Sequence, residues 1–203
     1  MQDCNRHKPS QWDAESRFGD DPFRADWSAN HPIRTMIANK AMLGQSVLEC
    51  GCASCIDIKY YNGTDMKYTG IDITLNFIRG AKRHDRNVDV RYGNILAIPF
   101  VDSSFDTVYA SNVFEHLNSG EWVLAISEMW RVARKQILLA LYIVPDSHPM
   151  EINKDGWGFN IIKYNIHELL EVFWRCAAWR SLEMIRDIGD DNRILFVLEK
   201  AKC

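Results

Sequence analysis

Hydrophobic and polar positions along this chain fall into two alternating kinds of segment. Short, nearly unbroken apolar runs predict buried strands over residues 46–50, 68–73, 88–92, 105–110 and 136–143. The last of these, QILLALYI, is apolar enough for the middle of a parallel sheet. Between them, apolar residues recurring every three or four positions predict helices over 31–42, 54–61, 76–84, 120–132 and 167–174. Asn30 reads as the N-cap of the first helix and Gly44 as its stop. Its core face carries Ile33, Met36, Ile37 and Met42, and the stripe on 120–132 is Val123, Ile126, Met129 and Trp130. Near the end, residues 181–188 and 193–198 predict a β-hairpin turning on Gly189-Asp190-Asp191-Asn192. Trp174 and Trp179 read as core residues.

Strands alternating with helices imply parallel βαβ units. The expected fold is therefore a Rossmann-like, doubly wound α/β sheet. Two stretches stand outside the pattern. Residues 1–30 are polar and irregular but carry Trp12, Phe18, Phe23 and Trp27, which suits either a partly disordered tail or a cap that folds over a ligand. Residues 145–165 read as an irregular loop in which Trp157, Phe159 and Tyr164 either line a pocket or pack.

Length changes the picture only by setting its scale. The 203 residues fit one domain, divided here into a cap segment and helix over 1–45 and the α/β domain over 46–203. The net charge of −3 and the lack of any Lys or Arg run give no footprint for nucleic acid. No apolar stretch reaches the ~20 residues that cross a bilayer, and the N-terminus lacks a signal-peptide pattern. Of six cysteines, Cys50, Cys52 and Cys55 are crowded together, which suggests free thiols in a reducing, cytoplasmic setting rather than a disulfide framework. Metal binding by these three is disfavoured, because no second cluster supplies a fourth donor.

The chemistry concentrates in Val47-Leu48-Glu49-Cys50-Gly51-Cys52-Ala53-Ser54-Cys55, where an apolar strand ends in a carboxylate, a Gly turn and small residues. Small residues let backbone approach a ligand closely at the carboxyl end of a strand. About 20 positions on, Asp72 ends the next strand, where a carboxylate can accept two hydrogen bonds from a ribose diol. Two further blocks follow, Gly93 to Phe100 (GNILAIPF) and Ser104 to Leu117 (SFDTVYASNVFEHL).

These four blocks, in this order and spacing, resemble the class I S-adenosylmethionine-dependent methyltransferases, in particular the methyltransferase type 11 group. The resemblance covers roughly 47–143. It implies about seven strands, mostly parallel, with an antiparallel C-terminal strand, and S-adenosylmethionine as cofactor. It also implies site roles. Glu49 would lie near the methionine amino group, directly or through water. Gly51, Cys52 and Ala53 would form the turn that passes the methionine moiety. Asp72 would hold the ribose, with Ile73, Asn94 and Ile95 around the adenine. Ser111 and Asn112 would face the sulfonium and the acceptor. His116 and His148 are candidates for a general base. Two glycines of the family pattern are replaced by Ala53 and Cys55, at a cost of roughly 1 kcal/mol if either needs a positive φ. The usual carboxylate of the third block is Asn94. The implied partner is a small-molecule acceptor. The alternatives are a non-catalytic partner subunit that keeps the fold, or a nicotinamide-dependent dehydrogenase, against which the Gly spacing argues.

Overall fold

A computed structural model describes residues 31–118, 120–142, 151–154, 160–163, 165–186 and 193–201. Helix α1 (Pro32–Ala41) precedes strand β1 (Ser46–Cys50), a 3₁₀ turn (Ile56–Tyr60) and β2 (Lys67–Asp72). Helix α2 (Leu75–His84), β3 (Val90–Tyr92), β4 (Phe105–Ser111) and a second 3₁₀ turn (Phe114–His116) follow. Then come α3 (Glu121–Val132), β5 (Ala133–Tyr142), β6 (Glu151–Lys154), β7 (Asn160–Lys163), α4 (Ile166–Cys176), β8 (Trp179–Ile185) and β9 (Arg193–Lys200).

Seven strands form one sheet in the order β3-β2-β1-β4-β5-β9-β8. The pairs β1–β2, β1–β4, β2–β3 and β4–β5 are parallel, while β9 is antiparallel to both β5 and β8. The expected α/β fold with an antiparallel last strand is thus observed. Strand order reverses between β1 and β4, the place where such sheets open a crevice.

Because strand side chains alternate between faces, adjacent residues feed two cores. On one face, Leu48, Val108, Ile137 and Leu139 pack with Ile126 and Met129 of α3 and Phe173 of α4. On the other, Val47, Tyr109, Leu138 and Val197 pack with Ile33 and Ile37 of α1 and Ile78 of α2.

Several expectations need correction. The N-cap of α1 is His31, whose Nδ1 accepts the Ile33 amide at 3.2 Å, and Pro32 starts the helix without needing a donor. Asn30 itself lies outside the described residues. Met42 is the C-cap of that helix and is exposed. The segment 54–61 forms only a 3₁₀ turn, entered through Cys55 in the left-handed region. On α3 the buried stripe is Trp122, Ala125, Ile126, Met129 and Val132, which turns Val123 outward. Trp174 is 63% exposed, because the buried face of α4 runs Ile166, Leu169 and Phe173. Trp179 is buried, its indole donating to the Phe173 carbonyl at 2.7 Å. The loop 145–165 is not wholly irregular: β6 and β7 pair antiparallel within it, Ile152 opposite Ile162. Trp157, Phe159 and Tyr164 lie outside the described residues, as do the four aromatics of 1–30.

Candidate cofactor site at the carboxyl ends of β1, β2 and β4

The turn after β1 is built by three residues at positive φ: Gly51 (73°), Ala53 (45°) and Cys55 (58°). The two substitutions away from glycine therefore stand in the conformation that penalises a Cβ. Gly51 has a second constraint, since a Cβ there would lie 2.4 Å from Val113 Cγ2. The amides of Gly51 and Cys52 both donate to the Ile71 carbonyl, at 2.8 and 3.0 Å, and so lay the turn against the end of β2.

Asp72 completes that junction. Its Oδ2 accepts the Ala53 amide and its Oδ1 accepts the Thr74 amide, both at 2.8 Å. Thr74 is the N-cap position of α2, so Asp72 braces the helix start without being the cap itself. Buried to 8% exposure, the carboxylate still reaches the wall of a cavity of about 300 Å³.

One wall of the cavity is Gly51, Ala53 and Asp72. The side between β2 and β3 is apolar, from Ile73, Phe77, Ile95 and Leu96, with Gly93 and Asn94 at its edge. The wall after β4 brings Asn112, Val113, His116, Leu117 and, from α3, Glu121. Asn94 Oδ1 accepts the Leu96 amide at 2.9 Å, which fixes its side chain at the rim. Asn112 also has a positive φ, 57°, and its Oδ1 has no hydrogen-bond partner among the described residues.

The sequence-derived residues thus separate into two sets. Gly51, Ala53, Asp72, Ile73, Asn94, Ile95, Asn112 and His116 converge on one cavity. Glu49, Cys52 and Ser111 are not on its wall. Cys52 is buried behind the turn, and Ser111 Oγ is buried without a partner among the described residues. Glu49 faces the α1 side of the sheet, where Tyr68 donates its hydroxyl to the carboxylate. Burial first, and then the nearby Asp57 and Cys55, push the Glu49 pKa well above the usual carboxylate range. Beside it, Arg34 pairs with Asp57 at 2.6 Å, and Tyr109 donates to the same carboxylate at 3.2 Å. His148 lies outside the described residues. Phe77, Val113, Leu117 and Glu121 were not singled out from sequence. Phe77 carries a weak signal, one turn into the helix that follows Asp72.

Comparison with known proteins bears on the fold and on the family the chain resembles. A methyltransferase-domain family model of the type 11 group matches residues 48–141. Residues 48–141, a little under half of the chain, are therefore similar to a methyltransferase domain. A probable S-adenosylmethionine-dependent methyltransferase of Mycolicibacterium smegmatis is 28% identical over 110 residues, 53% of this chain and 41% of that protein. An uncharacterized protein of Methanocaldococcus jannaschii is 30% identical over 139 residues, 68% of this chain and 52% of that one. The chain thus spans about half the length, or less, of these relatives. Among solved structures, the 1,6-didemethyltoxoflavin-N1-methyltransferase of Burkholderia thailandensis superposes with a TM-score of 0.71 at 11% identity, covering 96% of this chain and 87% of that one. That likeness establishes the fold. No helix among the described residues is long and apolar enough to cross a membrane.

Proposed function

We propose that the cavity at the β1–β4 switch binds S-adenosylmethionine and that the chain transfers its methyl group to a small-molecule acceptor. The observation that carries this reading is the placement of Asp72: a carboxylate at the end of β2, on the cavity wall, beside the Gly51–Ala53 backbone to which it is hydrogen-bonded. The donor set suits the cofactor. A carboxylate accepts from a vicinal diol, the apolar side chains of Ile73, Phe77 and Ile95 suit a purine, and Asn94 offers an amide at its rim. Among the described residues the wall holds two carboxylates, Asp72 and Glu121, and no Lys or Arg, which favours a positively charged ligand.

Bound there, the cofactor supplies an already activated methyl group on a sulfonium. The residues of the chain then bind, align and exclude water, which is where rate is gained when the donor is pre-activated. Asn112 stands where β4 delivers its carboxyl end and would position the acceptor. His116, on the same wall, would take the proton of an acceptor that must lose one. A small-molecule acceptor is favoured because the compared methyltransferase of Burkholderia thailandensis is named for one, 1,6-didemethyltoxoflavin.

Isothermal titration with S-adenosylmethionine and S-adenosylhomocysteine tests the reading, with Asp72→Ala alongside. Micromolar binding, weakened roughly tenfold or more by the substitution, is expected; that ratio corresponds to ~1.4 kcal/mol. A folded wild-type chain that binds neither compound would overturn the proposal.

A further inference from the structure

Cys52 and Cys55 have no role in the reading above, yet their side chains meet. The Cys55 thiol donates to the Cys52 sulfur across 3.4 Å. The two residues are the ends of one tight turn, closed by the Cys55 amide on the Cys52 carbonyl at 2.7 Å. Both sulfurs sit over Gly70 of β2: a Cβ there would lie 2.7 Å from Cys52 Sγ and 3.2 Å from Cys55 Sγ. The missing side chain of Gly70 is what gives the pair its room. Cys50, the third thiol of the cluster, points into the core on the other face of the sheet.

We propose that Cys52 and Cys55 form a reversible disulfide, and that its formation lowers the affinity of the adjoining cavity for its cofactor. The first half stands on the sulfur geometry alone; the second rests on the cofactor reading given above. Bond formation draws the sulfurs from 3.4 Å to about 2.05 Å. Ala53 lies between them in sequence, lines the cavity, and gives its amide to Asp72. Closing the turn by more than an ångström therefore pulls on the hydrogen bond that ties the turn to the ribose-side carboxylate.

The oxidant is a peroxide. One sulfur attacks the O–O bond and becomes a sulfenic acid, releasing the alcohol or, from hydrogen peroxide, water. The second thiol displaces water from that sulfur, giving the disulfide. Two thiols lose two electrons and two protons, and the peroxide takes them up. At 4% and 1% exposure the sulfurs react when the turn opens. Burial above all holds the Cys52 thiol protonated well beyond its ordinary range, which keeps the closed turn inert. A bound ligand should make the disulfide easier to reduce, the reciprocal of weaker binding after oxidation.

The test treats the purified chain with hydrogen peroxide, alkylates it under denaturing conditions and maps the peptides by mass. The expected peptide spans all three thiols, is lighter by two hydrogen atoms, and carries a single alkyl group, on Cys50. A reductant restores three alkylation sites. Titration of reduced and oxidised protein with S-adenosylhomocysteine should show affinity reduced roughly tenfold in the oxidised form, and Cys55→Ser should show the same affinity before and after peroxide. Three alkylated thiols after peroxide, or a bridge involving Cys50, would overturn the disulfide. A Cys52–Cys55 bridge with unchanged affinity would overturn the coupling. Reduced protein that binds no cofactor would overturn the coupling together with the proposed function and leave the mass result to decide the bridge.

Discussion

The Ala53 amide donates to Asp72 Oδ2 across 2.8 Å, so the turn after β1 is tied to the last residue of β2. The other oxygen of Asp72 holds the Thr74 amide at the start of α2. One carboxylate thus fixes two pieces of the cavity wall before any ligand arrives. Asp72→Ala strips both amides of their acceptor and should cost roughly 2 kcal/mol or more in urea unfolding, whereas Asp72→Asn keeps one acceptor oxygen and should cost about half as much. Equal losses for the two variants would show that the hydrogen bonds do not set the stability of this junction.

Left-handed backbone makes opposite predictions at two neighbouring positions of the turn. Ala53→Gly relieves a Cβ at φ 45° and should raise stability by up to about 1 kcal/mol, a shift of roughly 2–4 °C in Tm. Gly51→Ala adds a Cβ at φ 73°, into Val113, and should cost about 2–4 kcal/mol. Thermal melts of the two variants against wild type check both signs.

Beneath the sheet, Arg34 and Asp57 are an ion pair with side chains only 9% and 2% exposed. Arg34→Met leaves the Asp57 carboxylate buried near Glu49 and should cost about 3–5 kcal/mol, while the double variant Arg34→Met/Asp57→Leu should recover most of it. Urea midpoints of the three proteins measure this. A single variant as stable as wild type would mean that Asp57 finds another partner.

Glu115 gives stability a pH dependence. It is 2% exposed, and burial, only partly offset by its own backbone amide and by Arg193, pushes its pKa up to about 7. A carboxyl with a raised folded-state pKa is protonated more readily when folded. Its contribution is fully present below the unfolded value, near pH 4.3, and is lost as pH rises through about 7. Glu115→Gln has no proton to lose. Its stability advantage over wild type should be absent near pH 4 and approach about 3 kcal/mol at pH 8. Denaturation midpoints across that range would show parallel curves if Glu115 does not titrate this way.

Much of this protein was legible along the chain. The apolar runs named β1, β2, β4 and β5 because a strand covered on both faces must be apolar on both. The turn chemistry around Gly51 and the acid at Asp72 marked one wall of the cavity, because close backbone approach demands small residues and a strand-end carboxylate stands out in an apolar run. The positions of Ala53 and Cys55 were equally plain, and so was the conditional penalty. Tertiary structure decided the rest. It put Glu49 on the α1 side with Tyr68, since alternation assigns a face only once the sheet has two different layers above and below it. It paired residues 151–154 with 160–163, a hairpin whose weak alternation is stabilised by pairing and not by local preference. It also gathered Asn112 and His116 opposite Asp72, and set two sulfurs over Gly70. Those relationships join residues from different strands, and distance in space between strands is fixed by sheet order, which no local pattern encodes.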